Sequence, residues 1–202
     1  MTRVVGVDPA SPAAAAIDEA AAVLRADGLV AFPTETFYGL GAAALRPSAA
    51  RRVCEVKGRP EGKPLLVLVD SIAMTERLAT TISPRARALM ARHWPGALTL
   101  VLPARPEIPP EVTAGTGTIG VRLSAHPVAR ALVAALGGPI TAPSANPSDR
   151  PPPTTAAAVV AYFGDALPLI LDGGATAGGE PSTVLDVTVE PPRVIRAGAV
   201  KT

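Results

Sequence analysis

Apolar positions along the chain recur with two different periods, which predict helices and strands in alternation. Helical spacing is clearest in the first segment, where the apolar residues are Ile17, Ala20, Ala21 and Leu24. We expect that helix to begin at Ser11-Pro12, a cap residue followed by a proline, and to end at Gly28. Further helices are predicted over residues 47–56, 72–78, 84–93, 127–136 and 154–162.

Short apolar runs bounded by Gly, Pro or polar residues predict the strands. These runs cover residues 29–32, 64–69, 98–102, 119–123, 140–142, 169–171, 183–187 and 194–196. The polar, Gly-containing stretch Pro33–Gly41 has the composition of a turn. Strands that alternate with helices in this way predict an α/β fold.

Length and hydrophobic content favour a single domain. The chain has 202 residues, of which 48% are hydrophobic, and such a chain can bury one sizeable core. The proline-rich stretches Pro103–Pro110 and Pro147–Pro153 are too short to link two domains. We therefore predict one domain over residues 1–202.

Charge, cysteine content and the lack of long apolar runs bear on nucleic-acid binding, disulfide bonding and membrane association. The 19 basic and 17 acidic residues give a net charge of +2, which by itself does not indicate a nucleic-acid-binding protein. The single cysteine, Cys54, excludes an internal disulfide and is expected to be a packed thiol in a reducing compartment. No signal peptide or apolar run of about 20 residues is present, so we expect no membrane association and a cytoplasmic location.

Several common catalytic motifs are missing from the sequence. It contains no GxGxxG, GxxxxGK[ST], CxxC or HExxH motif, so no metal site is expected. His93 and His126 are the only histidines, and His126 directly precedes Pro127 at a predicted helix start, where a capping role is expected. A Ser-His-Asp enzyme is therefore disfavoured.

Polar clusters follow the predicted strands, where ligands bind in open α/β sheets. The clusters are residues 32–41, 57–64, 120–124 and 141–148, and the glycine-rich stretch 172–183 together with Arg196. Thr34 and Thr36 place two hydroxyls on one side of an extended segment. The cations Lys57, Arg59 and Lys63 either converge on a polyphosphate or form a solvated loop.

Two of these clusters leave further alternatives open. Arg122 lies in an apolar strand pattern and needs an anionic partner, which is either Glu35 or a substrate carboxylate. The loop 141–148 either supplies hydrogen bonds to a base, ribose or phosphate, or forms an ordinary Ser/Asn/Pro turn.

Taken together and in this order, the segments resemble the YrdC-like family of L-threonylcarbamoyladenylate synthases. The matching stretches are FPTETFYGLG at 32–41, KGRPEGKPL at 57–65, WPGALTLVL at 94–102, GVRLSAHPVARAL at 120–132, ITAPSANPS at 140–148, LDGGATAGG at 171–179, STVLDV at 182–187 and VIRAGAV at 194–200. The resemblance implies a twisted, mixed β-sheet with flanking helices around a concave basic cavity. It is to the short, single-domain type, without the C-terminal domain of longer members.

The resemblance also implies an activity. Family members combine L-threonine, bicarbonate and ATP into threonylcarbamoyl-AMP and pyrophosphate, with Mg²⁺ bound through ATP. A separate threonylcarbamoyl transferase complex then modifies adenosine 37 of tRNA, so that complex and tRNA itself are the implied partners.

The resemblance assigns roles to individual residues. The positions implied to contact ATP are Lys57, Arg59, Lys63, Pro143, Ser144, Asn146 and Arg196, and the catalytic set within them is Lys57, Arg59, Ser144 and Asn146. Those implied to contact threonine are Thr34, Thr36, Tyr38, Arg122, Thr141 and Ser182.

The sequence departs from the family pattern at a few positions. Asp149-Arg150 replaces a common Ser-Gly, Ala97 replaces a common proline, and Pro181 stands where some members have an acidic residue. Two other functions remain open at this point: an RNA-binding module of the same fold, and the carbamoyl-transfer domain of hydrogenase maturation proteins. The second is disfavoured because those proteins are longer and carry zinc-finger cysteines.

Overall fold

Two β-sheets of mixed strand direction form the framework of the computed structural model, which describes residues 1–60 and 62–201. The strands are β1 Arg3–Gly6, β2 Val30–Pro33, β3 Tyr38–Gly41, β4 Leu66–Leu68, β5 Leu98–Pro103, β6 Thr118–Arg122, β7 Ile140–Thr141, β8 Leu169–Asp172, β9 Thr183–Asp186 and β10 Arg193–Arg196. The helices are α1 Ala14–Arg25, α2 Pro47–Lys57, α3 Ile72–Glu76, α4 Pro84–His93, α5 Pro110–Thr113, α6 Pro127–Leu136, α7 Ala156–Phe163 and the 3₁₀ turn Gly164–Ala166.

The strand order shows that both sheets are mixed, as the resemblance implied. One sheet has the order β1-β8-β2-β3 and the other β10-β9-β5-β6-β4-β7. Pairs β1/β8, β2/β8, β4/β6 and β5/β9 are parallel, whereas β2/β3, β4/β7, β5/β6 and β9/β10 are antiparallel. Strand β10 is an edge strand, with Val194 and Ile195 about half exposed.

The two sheets are connected where β3 runs beside β7. Isolated bridges pair Gly39 with Ser144 and Ala43 with Ile140. The fully buried Thr141 strengthens this connection, because its hydroxyl donates to the Leu40 carbonyl at 3.1 Å and accepts from the Ala42 amide at 2.9 Å. The loop after β7 is thereby fixed against the β2–β3 hairpin.

Small side chains bring helices close to the first sheet. The predicted face of α1 is buried, with Ala20, Ala21 and Leu24 at zero exposure, and α1 packs against α6. Alanines leave little bulk between the two helices, while burial of a side chain such as Leu24 stabilises the fold by about 1.5–3 kcal/mol. Among the described residues, no helix combines the length and apolar character needed to cross a membrane.

Some local predictions are confirmed and others are wrong. His126 caps its helix as expected, and Ser83 and Thr155 cap theirs. The α1 prediction is wrong at its start, because the helix begins at Ala14, and its N-cap residue makes no side-chain hydrogen bond. The predicted turn Pro33–Gly41 is wrong in its second half, because residues 38–41 pair with β2 as a strand.

Two elements were absent from the predictions for physical reasons. Strand β1 is mostly exposed and shows little apolar pattern. Its extended conformation is stabilised by pairing with β8, which the local sequence does not reveal. Helix α5 is a single turn of four residues in a proline-rich stretch, too short for any periodicity.

The connection between the sheets gives a prediction about stability. Thr141→Val removes a hydroxyl that serves two buried backbone groups, so we expect the free energy of unfolding in urea to fall by about 1–3 kcal/mol. Thr141→Ser keeps the hydroxyl and is the matched control. Equal stability of the Val variant and the wild type would contradict this role of Thr141.

Candidate active site

A cavity of about 880 Å³ lies where the turn after β2, the loop after α2, the loop after β7 and the sheet of β5, β6, β9 and β10 meet. Its volume is that of a site for a small molecule of nucleotide size. Each of these loops follows a strand or helix that is anchored in the core. The cavity is therefore the place where the polar clusters of the sequence come together.

Positive charge is concentrated around this cavity. Six cationic side chains line it: Arg59, Lys63, Arg122, Arg150, Arg193 and Arg196. Among the described lining residues Asp186 carries the only carboxylate, and its Oδ2 lies 3.0 Å from Arg193. A chain with a net charge of only +2 thus presents an anion-attracting hollow.

Backbone carbonyls orient several of these cations without neutralising them. Arg59 donates to the carbonyls of Lys63 and Pro64, at 3.1 and 2.7 Å. Arg196 donates to the Ser182 carbonyl from both Nε and Nη2, at 3.0 and 2.7 Å. Burial lowers the pKa of Arg59, and burial followed by repulsion from Arg122 and Arg59 lowers that of Arg196.

Arg122 is held in a buried ion pair. Its Nη2 lies 2.7 Å from Glu35 Oε1, and its Nε donates to the Gly96 carbonyl at 3.1 Å. Glu35 also accepts from the Ser124 hydroxyl and from the Ala125 amide. Burial alone would raise the pKa of Glu35, but Arg122 and Ser124 outweigh it and lower that pKa. The protein partner of Arg122 is therefore Glu35, and the guanidinium still lines the cavity.

The hydroxyl of Thr34 makes hydrogen bonds within the turn between β2 and β3. The Thr34 hydroxyl donates to the Phe37 carbonyl at 2.6 Å and lies 3.2 Å from the Thr36 hydroxyl. It also accepts from the amides of Thr36 and Phe37. Thr34 and Thr36 are both lining residues of the cavity.

Tyr38 joins this hairpin to the glycine-rich stretch after β8. Its phenol donates to the Gly174 carbonyl at 2.7 Å and lies 3.3 Å from Asp172 Oδ1. Burial and the Asp172 carboxylate raise its pKa to about 12, so the phenol stays protonated. Tyr38 is a lining residue of the cavity, and its hydroxyl is engaged with residues 172–174.

Ser182 lies at the centre of a small hydroxyl network. Its Oγ is 3.2 Å from the Thr99 hydroxyl and accepts from Arg196 Nη2 at 2.9 Å. All three side chains line the cavity, and Ser182 and Thr99 are almost fully buried. Two hydroxyls with rotatable protons can adapt to a donor or an acceptor on a ligand.

Lys57 is a buried anchor of the loop after β7. As the last residue of α2 it donates its ammonium to the carbonyls of Ser144, at 2.6 Å, and Asn146, while its own carbonyl accepts from Ser148. Burial, with a smaller contribution from Arg59, lowers its pKa to about 8. For Lys57, the alternative of a solvated loop is therefore wrong.

Asn146 has its amide orientation fixed by that loop. Its Nδ2 donates to the carbonyls of Pro147 and Arg150, at 2.9 and 2.7 Å. Its Oδ1 is buried without a hydrogen-bond partner among the described residues. Both amide protons are in use, so the free group that Asn146 offers is an acceptor.

Most of the residues assigned by resemblance meet at this one cavity. Those that line it are Thr34, Thr36, Tyr38, Arg59, Lys63, Arg122, Pro143, Ser144, Asn146, Ser182 and Arg196. Lys57 and Thr141 are not among the lining residues; the first supports the loop and the second joins the sheets.

Sequence reasoning missed several lining residues. Thr99 was missed because it lies within an apolar strand. A hydroxyl at such a buried position could have indicated a binding residue. Arg150 and Arg193 were not singled out as binding groups, because nothing in a local pattern brings distant cations together. No group of three or more His, Cys, Asp or Glu side chains suited to a metal ion occurs in residues 1–60 and 62–201.

Comparisons with known proteins agree over nearly the whole chain. The Sua5/YciO/YrdC family model, described as telomere recombination, matches residues 22–198. The threonylcarbamoyl-AMP synthase of Bacillus subtilis (strain 168) is 45% identical over 185 residues, which are 91% of this chain and 54% of that protein. The threonylcarbamoyl-AMP synthase of Thiobacillus denitrificans (strain ATCC 25259 / T1) is 39% identical over 176 residues, with 87% and 92% covered.

A solved structure supports the same relationship. The crystal structure of Pyrococcus abyssi Sua5 complexed with L-threonine matches with a TM-score of 0.94 and 43% identity, covering 97% of this chain and 57% of that chain. This chain thus spans about half the length of the Bacillus and Pyrococcus relatives and nearly all of the Thiobacillus relative.

The buried ammonium of Lys57 predicts a pH-dependent stability. Its pKa is about 8 in the native protein against 10.5 for the free side chain, so the unfolded chain binds more protons between these values. The free energy of unfolding of the wild type, relative to Lys57→Met, should therefore rise from pH 8 toward pH 10. Urea titrations at four pH values test this, and a constant difference would show that Lys57 does not titrate there.

Proposed function

The chain belongs to the Sua5/YciO/YrdC family, and on that basis we propose that it is a threonylcarbamoyl-AMP synthase. In this proposal it joins L-threonine, bicarbonate and ATP into threonylcarbamoyl-AMP and pyrophosphate. The single observation that carries the proposal is the cavity in which six cations and several hydroxyls face one another. That set suits a reaction between two anionic reactants.

Arg122 is the proposed partner of the threonine carboxylate. Its guanidinium lines the cavity, and Glu35 and the Gly96 carbonyl fix its plane from behind. Nε and Nη2 face the protein, so Nη1 is the guanidinium nitrogen that remains as a donor to a carboxylate. We assign the remaining threonine contacts to Thr36 and to the Ser182–Thr99 pair, whose hydroxyls are at the wall.

The residues assigned to ATP divide into binding groups and supporting groups. Arg59, Lys63 and Arg196 bring positive charge to the cavity and are proposed to contact the phosphates. Ser144 and Pro143 form the wall beside them. Lys57 acts through the loop, because its ammonium is spent on two of that loop's carbonyls.

Asn146 is proposed to contact the nucleoside part of ATP. Phosphate oxygens only accept hydrogen bonds, whereas the free group of Asn146 is itself an acceptor. We therefore assign its Oδ1 to a donor on the nucleoside, either a ribose hydroxyl or the adenine amino group. The phosphates are left to the cations.

The proposed chemistry needs no nucleophile from the protein. The threonine amine adds to bicarbonate-derived CO₂ to give N-carboxythreonine, and a carboxylate oxygen of that product attacks the α-phosphorus of ATP. The bond from that phosphorus to the bridging oxygen breaks, and pyrophosphate leaves with its electron pair. Fixed cations lower the repulsion between the two anions, and positioning of both reactants can contribute about 7–11 kcal/mol.

Mg²⁺ enters as part of the substrate in this proposal, bound to ATP phosphates and water. The product would pass to a threonylcarbamoyl transferase complex that modifies tRNA, in the cytoplasm. An RNA-binding module is the second candidate, because the same six cations could contact RNA phosphates. ATP-dependent product formation separates the two.

The reaction itself provides the main test. With ATP, Mg²⁺ and bicarbonate, addition of threonine should raise pyrophosphate release at least about tenfold over reactions without an amino acid. Serine, which lacks one methyl, should be used with lower efficiency by about 10- to 100-fold. Release that does not depend on threonine would contradict the proposed function, and salt-sensitive tRNA binding without such release would favour the RNA-binding module.

Arg122 provides a test of the carboxylate site. Arg122→Lys keeps a charge beside Glu35 but cannot contact Gly96, Glu35 and a ligand with separate nitrogens, so we expect the KM for threonine to rise about tenfold or more with little change in the KM for ATP. Arg87→Lys, in the exposed pair with Glu76, is the control. If the Arg122→Lys protein folds and its KM for threonine is unchanged, Arg122 has only a structural role.

A further inference from the structure

A second hollow, the α4–β10 groove, lies behind the sheet edge that borders the cavity. It has a volume of about 410 Å³ and is formed by helix α4, strands β9 and β10, and Lys201. Side chains of residues 192–195 alternate between the two hollows. Arg193 and Ile195 line the cavity, as expected for one face of a strand. Pro192 and Val194 line the groove, so β10 is a wall that both hollows share.

The groove combines apolar and cationic side chains. Its apolar lining residues are Leu89, Leu185, Pro192 and Val194. Its basic lining residues are Arg85, Arg92, His93 and Lys201. No carboxylate is among the described lining residues, and α4 as a whole carries three arginines, one histidine and no acidic residue.

Part of this positive charge has no partner within the protein. Arg85 pairs with Glu190 at 2.6 Å and Lys201 with Glu180 at 3.0 Å, but both pairs are exposed, and exposed pairs are weak. Arg92 is exposed, and within residues 1–60 and 62–201 its guanidinium has neither an ion-pair partner nor a hydrogen-bond acceptor. The groove therefore attracts an acidic ligand.

The free edge of β10 offers backbone groups to the same ligand. Strand β10 pairs with β9 on one side, and no other strand pairs with it. In the described part of the chain, the backbone of residues 193–196 makes no hydrogen bond beyond those with β9. Val194 and Ile195 are 48% and 54% exposed along this edge. Such an edge pairs readily with an extended segment of another chain.

We propose that the α4–β10 groove binds an extended acidic segment of a partner protein, which adds to β10 as a further strand. Carboxylates of the segment face Arg92 and the other cations of the groove. Its apolar side chains pack on Leu89 and Val194. The backbone of the segment supplies the hydrogen bonds that the outer edge of β10 lacks.

Two other occupants fit the groove less well. RNA would meet the cations, but the only aromatic ring among the described lining residues is the imidazole of His93, so the groove has no platform on which bases stack. A second copy of this chain that paired through β10 would bring the arginines Arg193 and Arg196 of both strands together. Like charges opposed in this way disfavour pairing.

An NMR titration of the full ¹⁵N-labelled chain, without ATP or threonine, tests the proposal. The probe is the synthetic peptide acetyl-Glu-Glu-Val-Glu-Val-Glu-Glu-amide, and the matched peptide has lysine in place of every glutamate. We expect the acidic peptide to shift the amide signals of residues 193–196 and of α4, and to slow amide hydrogen exchange at 193–196. The basic peptide should do neither.

Variants of Arg92 test which groups attract the peptide. Arg92→Glu reverses the unpaired charge, so we expect the Kd of the acidic peptide to rise about tenfold or more, whereas Arg92→Lys should raise it less. Arg130→Glu reverses an exposed arginine of α6 that lines neither hollow, and it should leave the Kd unchanged. The remaining amide signals show that each variant is folded.

Shifts at 193–196 that weaken in Arg92→Glu and persist in Arg130→Glu support the proposal. It is overturned if the acidic peptide causes no shift, if both peptides bind equally, if Arg92→Glu binds as the wild type does, or if exchange at 193–196 is not slowed. The same signals moved only by an RNA hairpin, or by a higher concentration of the protein alone, would assign the groove to RNA or to a second copy and overturn it too. Because neither substrate is present, these results do not depend on the proposed synthase activity.

Discussion

The concentration of positive charge around one cavity is the constraint on which the rest of the site depends. Six cations share its wall in a chain whose net charge is only +2, and mutual repulsion would separate them if nothing held them. Carbonyl oxygens hold Arg59 and Arg196, since a carbonyl accepts a hydrogen bond but brings no full negative charge. These two cations are therefore ordered in advance and still attract an anion.

The connection between the two sheets fixes the position of the loop after β7, which lies beside these cations. Thr141 ties β7 to β3, and Lys57 ties the following loop to the end of α2. Neither side chain lines the cavity, yet together they fix the segment that carries Ser144 and Asn146. Substituting either of them therefore moves several ligand-facing groups at once, so a loss of activity alone does not identify a contact residue.

Much of the fold could be predicted from local patterns, and the site only in part. Helices α4 and α6 have the expected bounds because a Pro at the start and an apolar stripe define them. Strand β3 was missed because its pairing with β2, rather than any alternation of its own, makes Tyr38–Gly41 extended.

Site residues were likewise predicted where a local motif marks them, and missed where only contacts between distant segments do. Family motifs marked most residues that line the cavity, since each motif follows a buried element. They did not reveal that the ammonium of Lys57 points to carbonyls, and they left open whether Arg122 pairs with Glu35 or with a substrate carboxylate. Those facts depend on which distant segments meet, which no local spacing encodes.

The position of Arg196 on an edge strand has a consequence for how molecules reach the interior. Strand β10 is hydrogen-bonded on one side only, and its pairing with β9 shifts register between Val194 and Arg196. Opening this edge strand breaks one ladder of backbone hydrogen bonds, whereas opening an inner strand such as β5 breaks two. Local opening of β10 would move Arg196 away from the Ser182 carbonyl and widen the cavity on that side.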